Sequence, residues 1–375
     1  MKKLKVAILM FALSLAGALA PAAKAEPFDP QSTAPAPQDP PPAQASQAAE
    51  VDLKLERGGK VSISNRAGKI TVTGWDRDRV EAKATDVEDS SPLPVVASAD
   101  REPGTVSLRV GRYAPRAGDE PRAPRHASGE ANLVVQVPRY ANLEIVDSFG
   151  SDVSVSDVQG NVLINQGNGD VDVKRVGSLR ASRQNGDISV SGVDRNCQVR
   201  NLNGDINVSD VKGRVDSSTA NGDISIRNAG GDARADSATG SLDIRCVEGR
   251  ADANSASGSI NLVGIGGDVD ANSASGEVIF RGRIQAGGRY KLKTISGEVE
   301  MSIQPDPPGF TATMSSYTGE LETDFPLKVD TPSQGRVNRR VVGRYGDGQA
   351  QFVLDSFSGA VRIIKGLAAA SAECR

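Results

Sequence analysis

A parallel β-solenoid is the fold class this sequence predicts, on three observations: a Gly-centred motif at fixed spacing, strict alternation of apolar residues within it, and a composition suited to thin β-structure. The clearest copies are Gly186-Asp187-Ile188, Gly204-Asp205-Ile206, Gly222-Asp223-Ile224, Gly240-Ser241-Leu242, Gly258-Ser259-Ile260 and Gly276-Glu277-Val278, which follow one another at a constant step. Apolar residues then fall at the third, fifth and eighth places of each half-repeat. Alternation over the first five is the period of a strand with one buried face. With 40 glycines and 4% aromatics, the chain has the means for tight turns and few side chains for a bulky core.

A second Gly stands halfway through most repeats, at Gly213, Gly231, Gly249 and Gly267. Two strand-turn units per repeat of about 18 residues make one coil with two sheets, and a self-similar period of this kind is the signature of stacked architectures. The spacing predicts a single-chain β-helix, right-handed on the usual rule for parallel crossovers. In register, one inward column reads Ile188, Ile206, Ile224, Leu242, Ile260, Val278. On the facing sheet the columns are small, as in Ala235, Ala253 and Ala271. Large aliphatics against alanine fill a thin core at high density. The outward column Asp216, Arg234, Asp252, Asp270 alternates charge over most of its length, which penalises a one-coil slip more than it stabilises any one pair.

Before this body the chain reads as an export signal and a spacer. Lys2, Lys3 and Lys5 precede an apolar run from Val6 to Leu19, and Ala23-Lys24-Ala25 completes a cleavage pattern, giving a signal peptide over residues 1–25. The run is shorter than the ~20 residues a spanning helix needs, and no Cys follows it to take a lipid. No transmembrane segment is expected in the mature chain. Residues 26–49 are rich in Pro, Ala and Gln and predict a disordered spacer. The solenoid is expected over 50–365, with a loop insertion near 112–130 and looser coils after 280. Phe352 to Leu354 and Val361 to Ile364 are expected to close the far end, and 366–375 to fray.

Charge and chemistry exclude several functions. The signal carries Lys2, Lys3, Lys5 and Lys24; taking these from 44 basic residues leaves 40 against 47 acidic, a net of −7. That balance argues against nucleic acid, which demands a basic face. The one histidine, His126, lies in the predicted loop, so a catalytic triad is not expected, and the three cysteines lack zinc spacing. Cys197 and Cys246 fall three coils apart, too far for a disulfide; Cys374, in the tail, is free to pair between molecules. The column Asp170, Asp187, Asp205, Asp223 offers stacked carboxylates that could hold calcium, or could hydrogen-bond the turn backbone. The column changes to Ser241 and Ser259, which a continuous metal ladder would not tolerate.

Gly68-Lys69-Ile70-Thr71-Val72-Thr73-Gly74-Trp75-Asp76, the Leu133 to Pro138 strand and the repeated Asn-Gly-Asp-Ile at 185–188, 203–206 and 221–224 resemble a family of bacterial exported β-strand-repeat proteins described as adhesins of unknown function. The resemblance covers about residues 51–365 and carries no shared binding residues. It implies adhesion and a place at the envelope. Together with the export signal and the lack of a catalytic constellation in the sequence, this gives the expectation of a non-enzymatic envelope or surface protein, in the periplasm or on the cell surface. An adhesin or scaffold would present a repetitive face to an envelope polymer or protein. Two alternatives stay open: a calcium-stabilised β-roll adhesin, and a polysaccharide-acting β-helix enzyme, which would need paired carboxylates where this sequence scatters its acids by repeat. No cofactor is expected beyond the calcium candidates.

Overall fold

The computed structural model describes residues 46–48, 50–99, 104–110, 130–329, 339–366 and 374. Among these there is no α-helix, and the strands join into one long, mostly parallel sheet system. The signal peptide, most of the spacer, the 112–129 insertion and His126 lie outside the described residues.

In the central stretch each strand pairs in parallel with its counterpart in the next repeat. One series runs Ile188–Val193, Ile206–Val211, Ile224–Ala229, Leu242–Val247 and Ile260–Ile265, with Ile206 opposite Ile224 and Ile224 opposite Leu242. The other runs Cys197–Asn203, Val215–Asn221, Ala233–Thr239, Ala251–Ser257 and Val269–Ser275, with Ala235 opposite Ala253 and Ala253 opposite Ala271. Both inward columns are buried: Ile206, Ile260, Ala235 and Ala271 are fully enclosed.

The predicted irregularity before the eighth place has a backbone cause. Asp210, Asn228 and Cys246 hold left-handed φ values of 57, 56 and 57°, and Gly192 and Gly264 continue the same position at 71 and 66°. One left-handed residue turns a two-residue alternation into a three-residue step. Val208 and Val211 therefore both face inward, as do Ile226 and Ala229. Asn, Asp and Gly tolerate this conformation readily; Cys246 does not share that ease. At the opposite corner the Gly is demanded twice over. Gly204 sits at φ 123°, and a Cβ there would collide with the Gly186 carbonyl oxygen of the preceding layer.

Both ends depart from sequential stacking. Ala350–Ser358 pairs in parallel with Arg289–Ser296 on one side and with Phe310–Ser316 on the other. Val361–Lys365 likewise lies between Val299–Ile303 and Leu321–Thr323. The segment expected to close the far end is thus an internal layer. Closure falls instead to Arg339–Tyr345, which runs antiparallel to Phe310–Ser316. The reason is the aromatic core: Phe352 stacks on Phe310 at 4.5 Å and meets Tyr290 edge-on at 5.5 Å. The other end mirrors this arrangement. Lys60–Ser64 lies between Asn142–Asn168 and Thr105–Val110, and antiparallel strands Arg79–Asp86 and Val95–Ala99 finish the sheets. Ser46–Ala48, assigned to the spacer by composition, pairs antiparallel with Val95–Ala99. The tail is also anchored at Cys374, which forms a disulfide with Cys246 within the same chain.

Candidate ligand-binding flank

The Asp column has a definite structural use. The Asp170 Oδ1 accepts the Asp187 backbone N–H at 3.0 Å, and the Asp187 and Asp205 oxygens accept the N–H of Asp205 and Asp223 at 2.9 Å. Asp223 completes the series by accepting from Ser241 N–H at 2.7 Å. Each carboxylate therefore caps the turn of the next layer. Serine can follow Asp in this column because the last member only has to donate. Beside it, Asn185, Asn203 and Asn221 pass amide hydrogen bonds up the stack, and Thr239 donates its hydroxyl to Asn221 Oδ1 at 2.7 Å. Among the described residues, no group of three or more His, Cys, Asp or Glu side chains could hold a metal ion.

An inward polar column escaped the sequence reading. Thr219, Ser237, Ser255 and Ser273 are buried, and the three serine hydroxyls donate to the carbonyls of Gly222, Gly240 and Gly258 at 3.2, 3.0 and 2.9 Å. A short hydroxyl just before a Gly turn looks like a surface residue in sequence. Its partner lies in the preceding layer, which no local pattern reveals. Nearer the N-terminal end the same column holds Asn201, Arg183 and Gln166, all buried. Arg183 donates through Nη2 to the Ser151 carbonyl at 3.1 Å and through Nε to the Asn185 carbonyl at 3.2 Å, leaving Nη1 unpaired. Burial pushes its pKa down to about 10. Cys197 is buried and free, and burial pushes its thiol up to about 12, which makes it unreactive.

Immediately outward of the serine column runs a line of apolar side chains that starts at the exposed Leu202, is half-buried at Ala220 and is exposed beyond. Ala220, Ala238, Ala256 and Ala274 occupy one register position in successive layers, followed by Ile295, Phe357 and Tyr317. Ile295 and Phe357 are 60% and 55% exposed, and Tyr317 is 43% exposed. Such exposure is unusual for large apolar groups gathered in one place. The Phe357 and Tyr317 rings stack 4.8 Å apart and within 4° of parallel. From Ala238 onward these residues line a groove of about 1200 Å3.

Polar columns border the line on both sides. Asp236, Asn254 and Asn272 form one wall, linked by Asn254 Nδ2 to Asp236 Oδ1 at 2.8 Å and Asn272 Nδ2 to Asn254 Oδ1 at 3.1 Å. Lys293 and Asp355 continue that wall, 3.7 Å apart, and Ser315 Oγ donates to Asp355 at 2.7 Å. On the other side the next residue is Asn221 in the first of these layers and a hydroxyl in the others, Thr239, Ser257, Ser275, Ser296, Ser358 and Thr318, all exposed.

Residues 248–364 match the family described as Toastrack DUF4097, a match that covers the last of the regular coils, most of the groove and the rearranged C-terminal layers. No curated protein matches the chain. Three solved bacterial structures are similar to it. A candidate lipid binding protein from Parabacteroides distasonis is 12% identical over 85% of this chain and 96% of its own, with a TM-score of 0.31. A candidate adhesin from Bacteroides fragilis is 11% identical over 84% and 95%, with a TM-score of 0.25. A candidate cell adhesion protein from Clostridium sporogenes is 7% identical over 86% and 100%, with a TM-score of 0.16.

Proposed function

We propose that the protein is a non-enzymatic, exported envelope or surface component, an adhesin or scaffold, wound as a right-handed solenoid that holds an extended partner along its flank. Each coil of that solenoid takes up about 18 residues. The observation that carries this reading is the exposed column ending in Ile295, Phe357 and Tyr317, where one chemistry repeats from layer to layer. A surface of that kind suits many weak, repeated contacts with a long ligand. The Cys246–Cys374 bond fits an oxidising compartment outside the cytoplasm, as do the signal-like first residues. The acidic carboxylates of the turns are engaged with backbone N–H groups, which favours a metal-free scaffold over a calcium roll.

Co-sedimentation of the mature protein with isolated bacterial envelope fractions tests the reading. Saturable binding to at least one fraction is expected. Failure to bind any fraction, wall or membrane, would overturn it.

A further inference from the structure

Resting on that reading, we infer that the flank groove is a binding track for a neutral, extended β-linked glycan, with Ile295, Phe357 and Tyr317 as its apolar platform. The cross-section of the groove sets the class of ligand. The apolar line runs beside a wall of carboxylate, amide, ammonium and hydroxyl groups, with Val353 the one exposed aliphatic beyond that wall among the groove-lining residues. Exposed hydroxyls follow the line just outside the groove lining. An acyl chain would require apolar walls, since its flanks make no hydrogen bonds and would leave these polar groups desolvated. A sugar chain has the opposite profile. Its ring faces carry C–H groups that rest on aromatic and aliphatic surface, and its equatorial hydroxyls project sideways towards donors and acceptors.

Charge narrows the class further. Lys293 faces Asp355 within the groove at 3.7 Å, and Asp236 is paired with Arg234 at 2.7 Å. Arg340, also on the groove lining, is likewise engaged in an interaction of its own. The walls thus compensate internally and offer no block of free positive charge to attract a polyanion. Spacing gives the third argument. Neighbouring layers lie about 4.8 Å apart, close to the length of one β-linked hexose, so successive rings can meet equivalent positions in successive layers. From Ala220 to Tyr317 the track crosses seven layers, roughly 29 Å at that spacing. Alanines give a low floor where the chain passes, and the stacked pair rises at one end to grip it.

The test measures binding of the mature protein to hydroxyethylcellulose and laminarin, with polygalacturonate and phospholipid vesicles as comparison probes, for the unaltered chain and the double variant Phe357→Ala/Tyr317→Ala. Both rings are exposed, so the variant should melt like the parent; Ile295→Ser supplies a second, smaller lesion. The expected result is binding to a neutral glucan that the double variant weakens at least tenfold and Ile295→Ser weakens less. Preference for polygalacturonate or for vesicles would overturn the assignment, as would no binding to either neutral glucan. Envelope co-sedimentation retained by a double variant that has lost glucan binding would uphold the track and overturn the flank as the envelope-binding surface of the earlier reading. Glucan binding by a parent that binds no envelope fraction would uphold the track and overturn only the earlier reading.

Discussion

Ile224 is 1% exposed and faces the inward column, while Ser225 beside it faces outward and is half-buried. Replacing Ile224 by Asp places a carboxylate where nothing can pair with it, at a cost of several kcal/mol. Ser225→Asp should be nearly neutral, and thermal melts of the two variants should differ by many degrees. A subtler contrast belongs to the turn. Asp205→Ala leaves the Asp223 N–H without its acceptor, a loss of about 1 kcal/mol, whereas Asp205→Asn keeps an oxygen there and should lose less. Chemical denaturation of both variants resolves the order. The inward aliphatics were legible in the sequence because alternation identifies a buried face without knowledge of its partner. The turn bond of Asp205 was legible only as one of two alternatives, without the layer it reaches, and the role of Ser255 was not legible at all. Each acts on a backbone group in the neighbouring layer, so the signal is a register rather than a local pattern.

At the scale of elements, repetition revealed the coils but could not reveal their order at the ends. Ala350–Ser358 looks terminal in sequence, yet it lies between Arg289–Ser296 and Phe310–Ser316. Only the packing of Phe352 against Tyr290 and Phe310 decides that placement. The tail was misread for a related reason: sequence separation predicts fraying, and a disulfide across 128 residues overrides it. Closing so long a loop removes unfolded-state entropy worth up to about 5 kcal/mol. Cys374→Ser, Cys246→Ser and the double variant should therefore show the same lowered melting temperature, and reductant should bring the parent to that value. Additive losses in the double variant would mean the two cysteines act separately. Cys197 offers an internal control. Its buried thiol should resist alkylation in the folded protein and react only after denaturant is added.

Across the whole molecule, stability should come from near-neighbour terms between layers, since each strand pair touches only the layers beside it. Calcium discriminates sharply between two versions of that picture. If Asp170, Asp187, Asp205 and Asp223 formed a cation ladder, each ion would join adjacent layers and its removal would loosen the four central layers that carry them. Binding only to the folded state would then raise the melting temperature with concentration. The observed geometry assigns each of these carboxylates one backbone N–H from the next turn, an arrangement complete without an ion. A cation would have to compete with those bonds while also gathering six or more oxygens. Melting curves in EGTA and in millimolar calcium should therefore coincide. A rise of many degrees with calcium would show that the turns rearrange to bind it, and would make the Asp column the link between layers. Coincident curves would leave the hydrogen-bonded turns and the aliphatic columns as the cohesion of the stack, with the exposed flank free to vary for binding.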